Sequence, residues 1–188
     1  MVTAASRLKA PARIALVTAF AVGACGTASS PPAGNVNDTG VDTLAGNLHL
    51  LAVHVPAPSG DGYPKGADLR VILTIVNLGR APDALVAAST PDARKAEIRW
   101  DRNCDSKPDV VSRLPIAPAD DPAPAERGVQ PFDPYDVLLV AATREVLAGT
   151  EVPLTLRFTT AGTVRTSAYV LPKTAHIEEP VRTCKRSP

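Results

Sequence analysis

The sequence predicts an all-β protein, a single antiparallel β-sandwich of about seven to nine strands. From Asn47 onward, short apolar segments recur between turn residues at spacings of roughly 8–15 residues, a pattern typical of all-β domains. The 188 residues include 19 prolines, which disfavour long helices. Hydrophobic residues make up 45% of the chain but aromatic residues only 4%, so aliphatic side chains must form the core.

The predicted strands follow these apolar segments in chain order. They are Leu48–Val55, Asp68–Asn77, Ala84–Ser89, Arg94–Trp100, Val110–Ile116, Asp136–Ala142, Val152–Thr159 and Thr163–Val170. Asp68–Asn77 is apolar on both faces, which predicts a central strand. Thr160-Ala161-Gly162 predicts a tight turn, so the last two strands should form a hairpin. Alanine-rich Ala81–Lys95 and Thr143–Leu147 also fit helical segments, but neither would change the fold class.

Residues 1–24 are predicted to be a lipoprotein signal peptide rather than part of the fold. Three basic residues and no acidic residue precede the apolar run Ile14–Val22, which is shorter than the roughly 20 residues of a membrane-spanning helix. Val22-Gly23-Ala24-Cys25 resembles a bacterial lipobox, in which the cysteine is lipidated before cleavage. The sequence therefore predicts export and lipid anchoring through Cys25 to the outer face of the cell membrane. The alternative is an ordinary signal peptide with an incidental cysteine.

The rest of the chain is predicted to form a tether, one domain and a tail. Residues 25–46 are small and polar and contain Pro31-Pro32, as expected of a flexible tether. Residues 47–172 form the β-sandwich, and residues 173–188 form a C-terminal tail.

Two cysteines remain once Cys25 is assigned to the lipid. Because an exported protein meets an oxidising environment, Cys104 and Cys184 predict one disulfide, which would pin the tail to the loop after Trp100. The alternative is a metal site that includes His176, but it lacks a fourth ligand and the close cysteine spacing of structural zinc sites.

No motif in the chain predicts a catalytic residue, a metal or a cofactor. Neither Gly-x-Ser-x-Gly nor His-Glu-x-x-His occurs. His49 and His54 are five residues apart, which places them on opposite faces of a regular strand. Asp101-x-Asn103-x-Asp105 begins like a calcium loop, but serines occupy the later glycine and glutamate positions. Lys+Arg 20 against Asp+Glu 19, without a basic block, argues against nucleic-acid binding.

Several motifs in fixed order resemble those of the periplasmic copper chaperones called PCu(A)C. In residues 63–100 an aliphatic strand ends in Asn-x-Gly, a Leu-Val segment and Ser-x-Pro follow, and a last strand comes where the family has Glu-Leu-His. Pro134–Leu139 occupies the place of the family's Tyr-His-Leu-Met-Leu. Gly149–Leu156 is similar to its Gly-Asp-x-Val-Pro-Leu-Thr-Leu. Together with the lipobox and the additional cysteines, these motifs most resemble the LpqE lipoprotein group of high-GC Gram-positive bacteria.

The resemblance implies a cupredoxin-like β-sandwich, but the copper ligands are replaced. The family binds Cu(I) with two histidines and methionine thioethers, soft ligands that suit this ion. Arg99 and Asp101 stand at the first histidine and methionine positions, and Asp136 and Leu138 stand at the second pair. Met1 is the only methionine and would be removed with the signal peptide.

We therefore expect a non-enzymatic, membrane-anchored lipoprotein without a metal or cofactor. Its partners would be the membrane, through the lipid, and an envelope protein or small ligand of unknown identity. The alternative is a metal-handling chaperone for copper or another cation, with relocated ligands such as Asp101, Asp136 and His54.

Overall fold

The structure, a computed structural model, describes residues 35–37, 40–120 and 134–175. These ranges contain thirteen β-strands and no helix, and hence no helix able to cross a membrane. The strands are β1 (Asn35–Asn37), β2 (Gly40–Ala45), β3 (Leu48–Val55), β4 (Gly62–Tyr63), β5 (Leu69–Asn77), β6 (Asp83–Ser89), β7 (Ala93–Trp100), β8 (Asp109–Val110), β9 (Leu114–Ile116), β10 (Tyr135–Ala142), β11 (Val146–Leu147), β12 (Glu151–Phe158) and β13 (Thr163–Val170). The strands outside the predicted segments are β2, with six residues, and β1, β4 and β11, with two or three residues each.

Eleven strands form one curled sheet in the order β8-β7-β10-β5-β3-β13-β12-β6-β9, with β2 paired to β3 and β1 to β2. The strand pairs are antiparallel, apart from β13 and β3, which are parallel. β4 and β11 form a separate two-stranded ribbon. The predicted all-β, cupredoxin-like fold is confirmed, and β12 and β13 form the predicted hairpin.

The core is aliphatic and lies inside the curled sheet. β5 pairs with β3 on one edge and β10 on the other, so it is central, as its apolar character predicts. Its inward side chains Leu69, Val71, Leu73 and Ile75 are at most 1% exposed. Burial of each such side chain contributes about 1.5–3 kcal/mol.

The predicted tether ends too late in the sequence. Gly40–Ala45 forms β2, which pairs antiparallel with β3, and Val41 is 1% exposed. The Thr43 hydroxyl is 2.7 Å from that of Thr166 on β13, which joins β2 to the sandwich. The prediction was wrong here because small, polar composition concealed a short alternation with Val41 and Thr43 facing inward. The tether upstream of residue 35 lies outside the described residues.

Two segments differ in detail from the predicted strands. The apolar segment Val110–Ile116 is divided between β8 and β9, which pair with β7 and β6 respectively. Thr143–Leu147 forms no helical turn, because Val146–Leu147 pairs with β4 instead. Alanine-rich Ala81–Lys95 forms strands, as the flanking prolines and its β-branched residues favour.

Buried carboxylate and amide groups hold the turns at one end of the sheet. Asn77 accepts a hydrogen bond from the Gly79 backbone N–H and donates to the Ala81 carbonyl, at 2.9 Å each. Asp83 accepts four hydrogen bonds of 2.7–2.9 Å, three from backbone N–H groups and one from the Thr159 hydroxyl. Burial alone would raise the pKa of Asp83, but these hydrogen bonds outweigh it and lower the pKa below its ordinary value of 3.8.

Candidate functional site

Two arginines hold the carboxylate of Asp136 on the outer face of the sheet. Asp136 on β10 lies opposite Arg99 on β7. The Arg99 guanidinium donates two hydrogen bonds, from Nε to Oδ1 at 2.7 Å and from Nη2 to Oδ2 at 2.9 Å. Arg70, on the other neighbouring strand, donates from Nε to Oδ2 at 2.7 Å. We call these three residues the Arg–Asp–Arg cluster.

The Arg–Asp–Arg cluster is buried at its centre and carries an excess positive charge. The Asp136 side chain is 4% exposed, whereas Arg99 is 19% and Arg70 is 46% exposed. Because a guanidinium cannot lose its proton near neutral pH, two fixed cations face one carboxylate. Paired, charge-assisted hydrogen bonds of this kind are among the stronger ones in proteins. The arrangement repels a metal cation and leaves no Asp136 oxygen without a donor.

Asp101 holds a loop. Its carboxylate is buried and accepts hydrogen bonds from the backbone N–H groups of Asp105 at 3.1 Å and Ser106 at 2.8 Å. The loop includes Cys104 and Ser106, whose φ angles are 55° and 63°. The Asp-x-Asn-x-Asp segment therefore forms a loop in which carboxylate oxygens accept hydrogen bonds from nearby backbone N–H groups, and Asp105 also accepts one from the Lys107 N–H, as in an Asx turn.

The two strand histidines are placed differently from the prediction. A β-bulge lies between Leu51 and His54, and Ala52 within it has a φ of 50°. His49 pairs with Val76 and His54 with Ile72. Since these partners are four residues apart on β5, both histidines lie on one face, about 13 Å apart. The prediction of opposite faces was wrong because the bulge inserts an extra residue, and the separation still prevents a shared ion.

His54 is also more buried than expected of a partly exposed strand histidine. It is 1% exposed, and its Nδ1 lies 2.7 Å from the Ala52 carbonyl oxygen. β5 lies between His54 on β3 and Asp136 on β10. His54 therefore supports the bulge and is one strand removed from the Arg–Asp–Arg cluster.

The other predicted site residues either have no atom that could bind a ligand or lie outside the residues that the structure describes. Leu138 is half-buried between Glu97 on β7 and Arg70 on β5, and its alkyl side chain has no donor or acceptor atom. Cys25, His176 and Cys184 lie outside the described residues. In the described part of the chain, no group of three or more His, Cys, Asp or Glu side chains is placed to hold a metal ion.

Residues 48–170 match the family described as lipoprotein LpqE-like. The chain belongs to the LpqE-like family. The match covers more than half of the chain and spans β3 to β13, including the whole Arg–Asp–Arg cluster. The predicted relation to the LpqE group is confirmed. No curated protein matches the sequence.

This LpqE-like chain is similar in fold to solved PCuAC domains. The apo PCuAC domain from PmoF1 is 25% identical, with a TM-score of 0.51, covering 70% of this chain and 98% of that one. The apo PmoF2 PCuAC domain is 19% identical, with a TM-score of 0.52 and coverages of 71% and 97%. The copper-bound PCuAC domain from PmoF2 is 20% identical, with a TM-score of 0.50 and coverages of 70% and 97%. The predicted PCuAC-like fold is confirmed.

Arg70, the third member of the Arg–Asp–Arg cluster, was not among the predicted site residues. Arg70 is the only charged residue in β5, and a lone charge in a central strand is unusual. The sequence contains this signal, because the alternation of β5 places Arg70 on the outer face of the sheet. A charged side chain at a central strand position usually has an oppositely charged partner. What the sequence could not supply was the register that places Arg70 opposite Leu138, beside Asp136.

Proposed function

We propose that the protein is an exported, membrane-anchored lipoprotein whose PCuAC-like sandwich has lost the Met/His copper site and serves as a non-enzymatic binding domain. The Arg–Asp–Arg cluster carries this proposal. Arg99 and Asp136 stand where the family resemblance puts the two histidines, and here they form a bidentate ion pair. The domain would bind an envelope protein or a small ligand.

The chemistry of the aligned positions supports loss of Cu(I) binding. Soft thioether and imidazole ligands stabilise Cu(I), whereas carboxylates favour hard cations. The four positions offer a guanidinium, two hydrogen-bonded carboxylates and an alkyl group, from Arg99, Asp101, Asp136 and Leu138. A bound ion would therefore keep a positive charge beside it and lack soft ligands.

The second candidate function, metal handling through relocated ligands, has less support. It needs Asp101, Asp136 and His54 to turn toward one ion. Asp101 already accepts two backbone hydrogen bonds, Asp136 accepts three from arginines, and His54 is hydrogen-bonded within its bulge. Binding an ion would require all of these contacts to break.

Metal content separates the two candidates. The protein is purified from cell envelopes without reductant or chelator, and its metals are measured by mass spectrometry. We expect far less than one equivalent of any metal per chain. One equivalent that is absent from the Asp136→Ala protein, but retained by an Arg165→Ala control on the exposed face of β13, would favour the metal-handling function.

Lipid anchoring gives a second prediction, at Cys25. The Cys25→Ala protein should be either uncleaved or released, because the lipobox cysteine is both the lipid acceptor and the first mature residue. Mass spectrometry of the mature amino terminus and membrane fractionation provide the measurement. If the Cys25→Ala protein fractionates with membranes as the same mature species, the assignment is wrong.

A disulfide between Cys104 and Cys184 gives a third prediction. Support comes from the oxidising environment that an exported protein meets, and from Cys104 and Cys184 being the remaining cysteines once Cys25 carries the lipid. A loop of roughly 80 residues closed in this way contributes about 4 kcal/mol in the chain-entropy account. Non-reducing peptide mapping of envelope-derived protein should give one linked pair. Free thiols at both positions would contradict the pairing.

A further inference from the structure

Two leucines at one end of the sheet are exposed to solvent. Leu44 is 66% and Leu78 is 61% exposed, the largest values among the large hydrophobic side chains of the described residues. Transfer of such exposed apolar side chains out of water lowers the free energy. Their position in the fold indicates what they contact.

The strand register places the two leucines on the same outer face. Leu44 on β2 lies opposite His49 on β3, which lies opposite Val76 on β5. Leu78 follows Val76 by two residues, and its N–H donates to the Asn47 carbonyl at 2.8 Å. Two strand spacings, about 10 Å, separate Leu44 from the line of β5. We call Leu44, Leu78 and the neighbouring exposed Arg80 the leucine patch.

Asn35, the first described residue, lies opposite Asp42, two residues before Leu44 on β2. β1 is antiparallel to β2. Asn35 is therefore the residue of β1 nearest to the level of Leu44. Cys25 precedes Asn35 by ten residues, which span at most about 36 Å when fully extended. A lipid on Cys25 would hold this end of the domain close to the bilayer.

We propose that the leucine patch inserts into the outer leaflet of the membrane that carries the anchor. This inference rests on the proposed lipid anchoring at Cys25. Leu44 and Leu78 enter the boundary between headgroups and acyl chains, as the apolar side chains of interfacial segments do. Arg80 lies against lipid phosphates, which favours anionic lipids. The exposed Asp120 lies near this end of the sheet, because the N–H of the preceding residue donates to the Asn77 carbonyl. Its negative charge offsets the positive charge of Arg80, so the leucines contribute more to membrane binding than the charge does.

Depth-dependent fluorescence quenching tests the insertion. Leu44→Trp and Leu78→Trp are each made in full-length protein carrying Trp100→Phe, which removes the only native tryptophan. The matched control is Leu147→Trp, because Leu147 is also an exposed leucine. It lies at the opposite end of the sheet, where the N–H of nearby Gly149 donates to the Val170 carbonyl. Mature protein purified from envelopes is reconstituted into phosphatidylglycerol vesicles with brominated or ordinary acyl chains. Mass spectrometry of each sample reports whether Cys25 carries lipid.

We expect brominated lipids to remove at least about half of the emission of the Leu44→Trp and Leu78→Trp proteins. The Leu147→Trp control should keep its emission. Equal, weak quenching at all three positions would overturn the insertion, and this would be the result if another protein covers the leucine patch. Lipidated protein without selective quenching rejects insertion but retains the anchor. Selective quenching of unlipidated protein supports insertion and rejects the anchor.

Discussion

Replacing Asp136 by alanine is expected to lower the free energy of unfolding by about 2–3 kcal/mol. The substitution leaves two guanidinium groups facing each other without the carboxylate that joins them. Removal of one partner from a fully buried ion pair costs about 3–5 kcal/mol. Arg70 is 46% exposed, so water replaces part of the lost interaction and the expected loss is smaller. Urea unfolding followed by circular dichroism gives the measurement.

Two matched variants identify the source of this loss. Arg70→Met should cost less than about 1 kcal/mol, because exposed ion pairs contribute little. The double variant Arg99→Met, Asp136→Ala should be more stable than Asp136→Ala alone, since the half-buried cation is then removed as well. A loss below about 0.5 kcal/mol for Asp136→Ala would show that the Arg–Asp–Arg cluster does not stabilise the fold.

Replacing Tyr135 by phenylalanine is expected to lower the free energy of unfolding by about 1–3 kcal/mol. The Tyr135 hydroxyl, on a side chain 2% exposed, accepts a hydrogen bond of 2.8 Å from the Ile75 backbone N–H. Phenylalanine keeps the ring but leaves that buried N–H without this acceptor. Thermal and urea unfolding measure the change.

The matched control for this substitution is Tyr63→Phe. The Tyr63 hydroxyl donates to the Pro56 carbonyl at 2.9 Å, but the residue is only half-buried, so water can take over the lost hydrogen bond. We expect a cost below about 1 kcal/mol. Equal losses for the two variants would contradict the specific role given to Tyr135.

Most of the fold could be predicted because strand periodicity is a local property of the sequence. β3 and β13 have the predicted bounds, and the other long strands of the predicted domain differ by about one residue at their ends. β2 was missed because four of its six residues are small or polar and only Val41 and Leu44 are strongly apolar. The bulge at Ala52 was missed because its cause is non-local. The Asp42 carboxylate on β2 accepts a hydrogen bond of 2.7 Å from the Ala52 N–H.

The candidate site could be predicted only in part. The resemblance placed Arg99 and Asp136 at the two histidine positions of one site, and strand pairing places them opposite each other. The inclusion of Arg70 depends on the register between β5 and β10, which no local pattern determines. The role of Asp101 in its loop could have been predicted from its residue type, because aspartate commonly accepts hydrogen bonds from the backbone N–H groups that follow it.

We expect that this member of the LpqE-like family does not bind Cu(I) as a chaperone does. The most direct test is competition with a chromogenic Cu(I) chelator, using protein purified from cell envelopes under oxidising conditions and checked for free thiols, so that cysteine thiolates cannot take the ion. The positive control is a copper-chaperone domain that keeps the histidine and methionine ligands. We predict that the control withdraws copper from the chelator and that this protein withdraws none. Tight uptake of one Cu(I) per chain, abolished by Asp136→Ala or His54→Ala, would contradict the account.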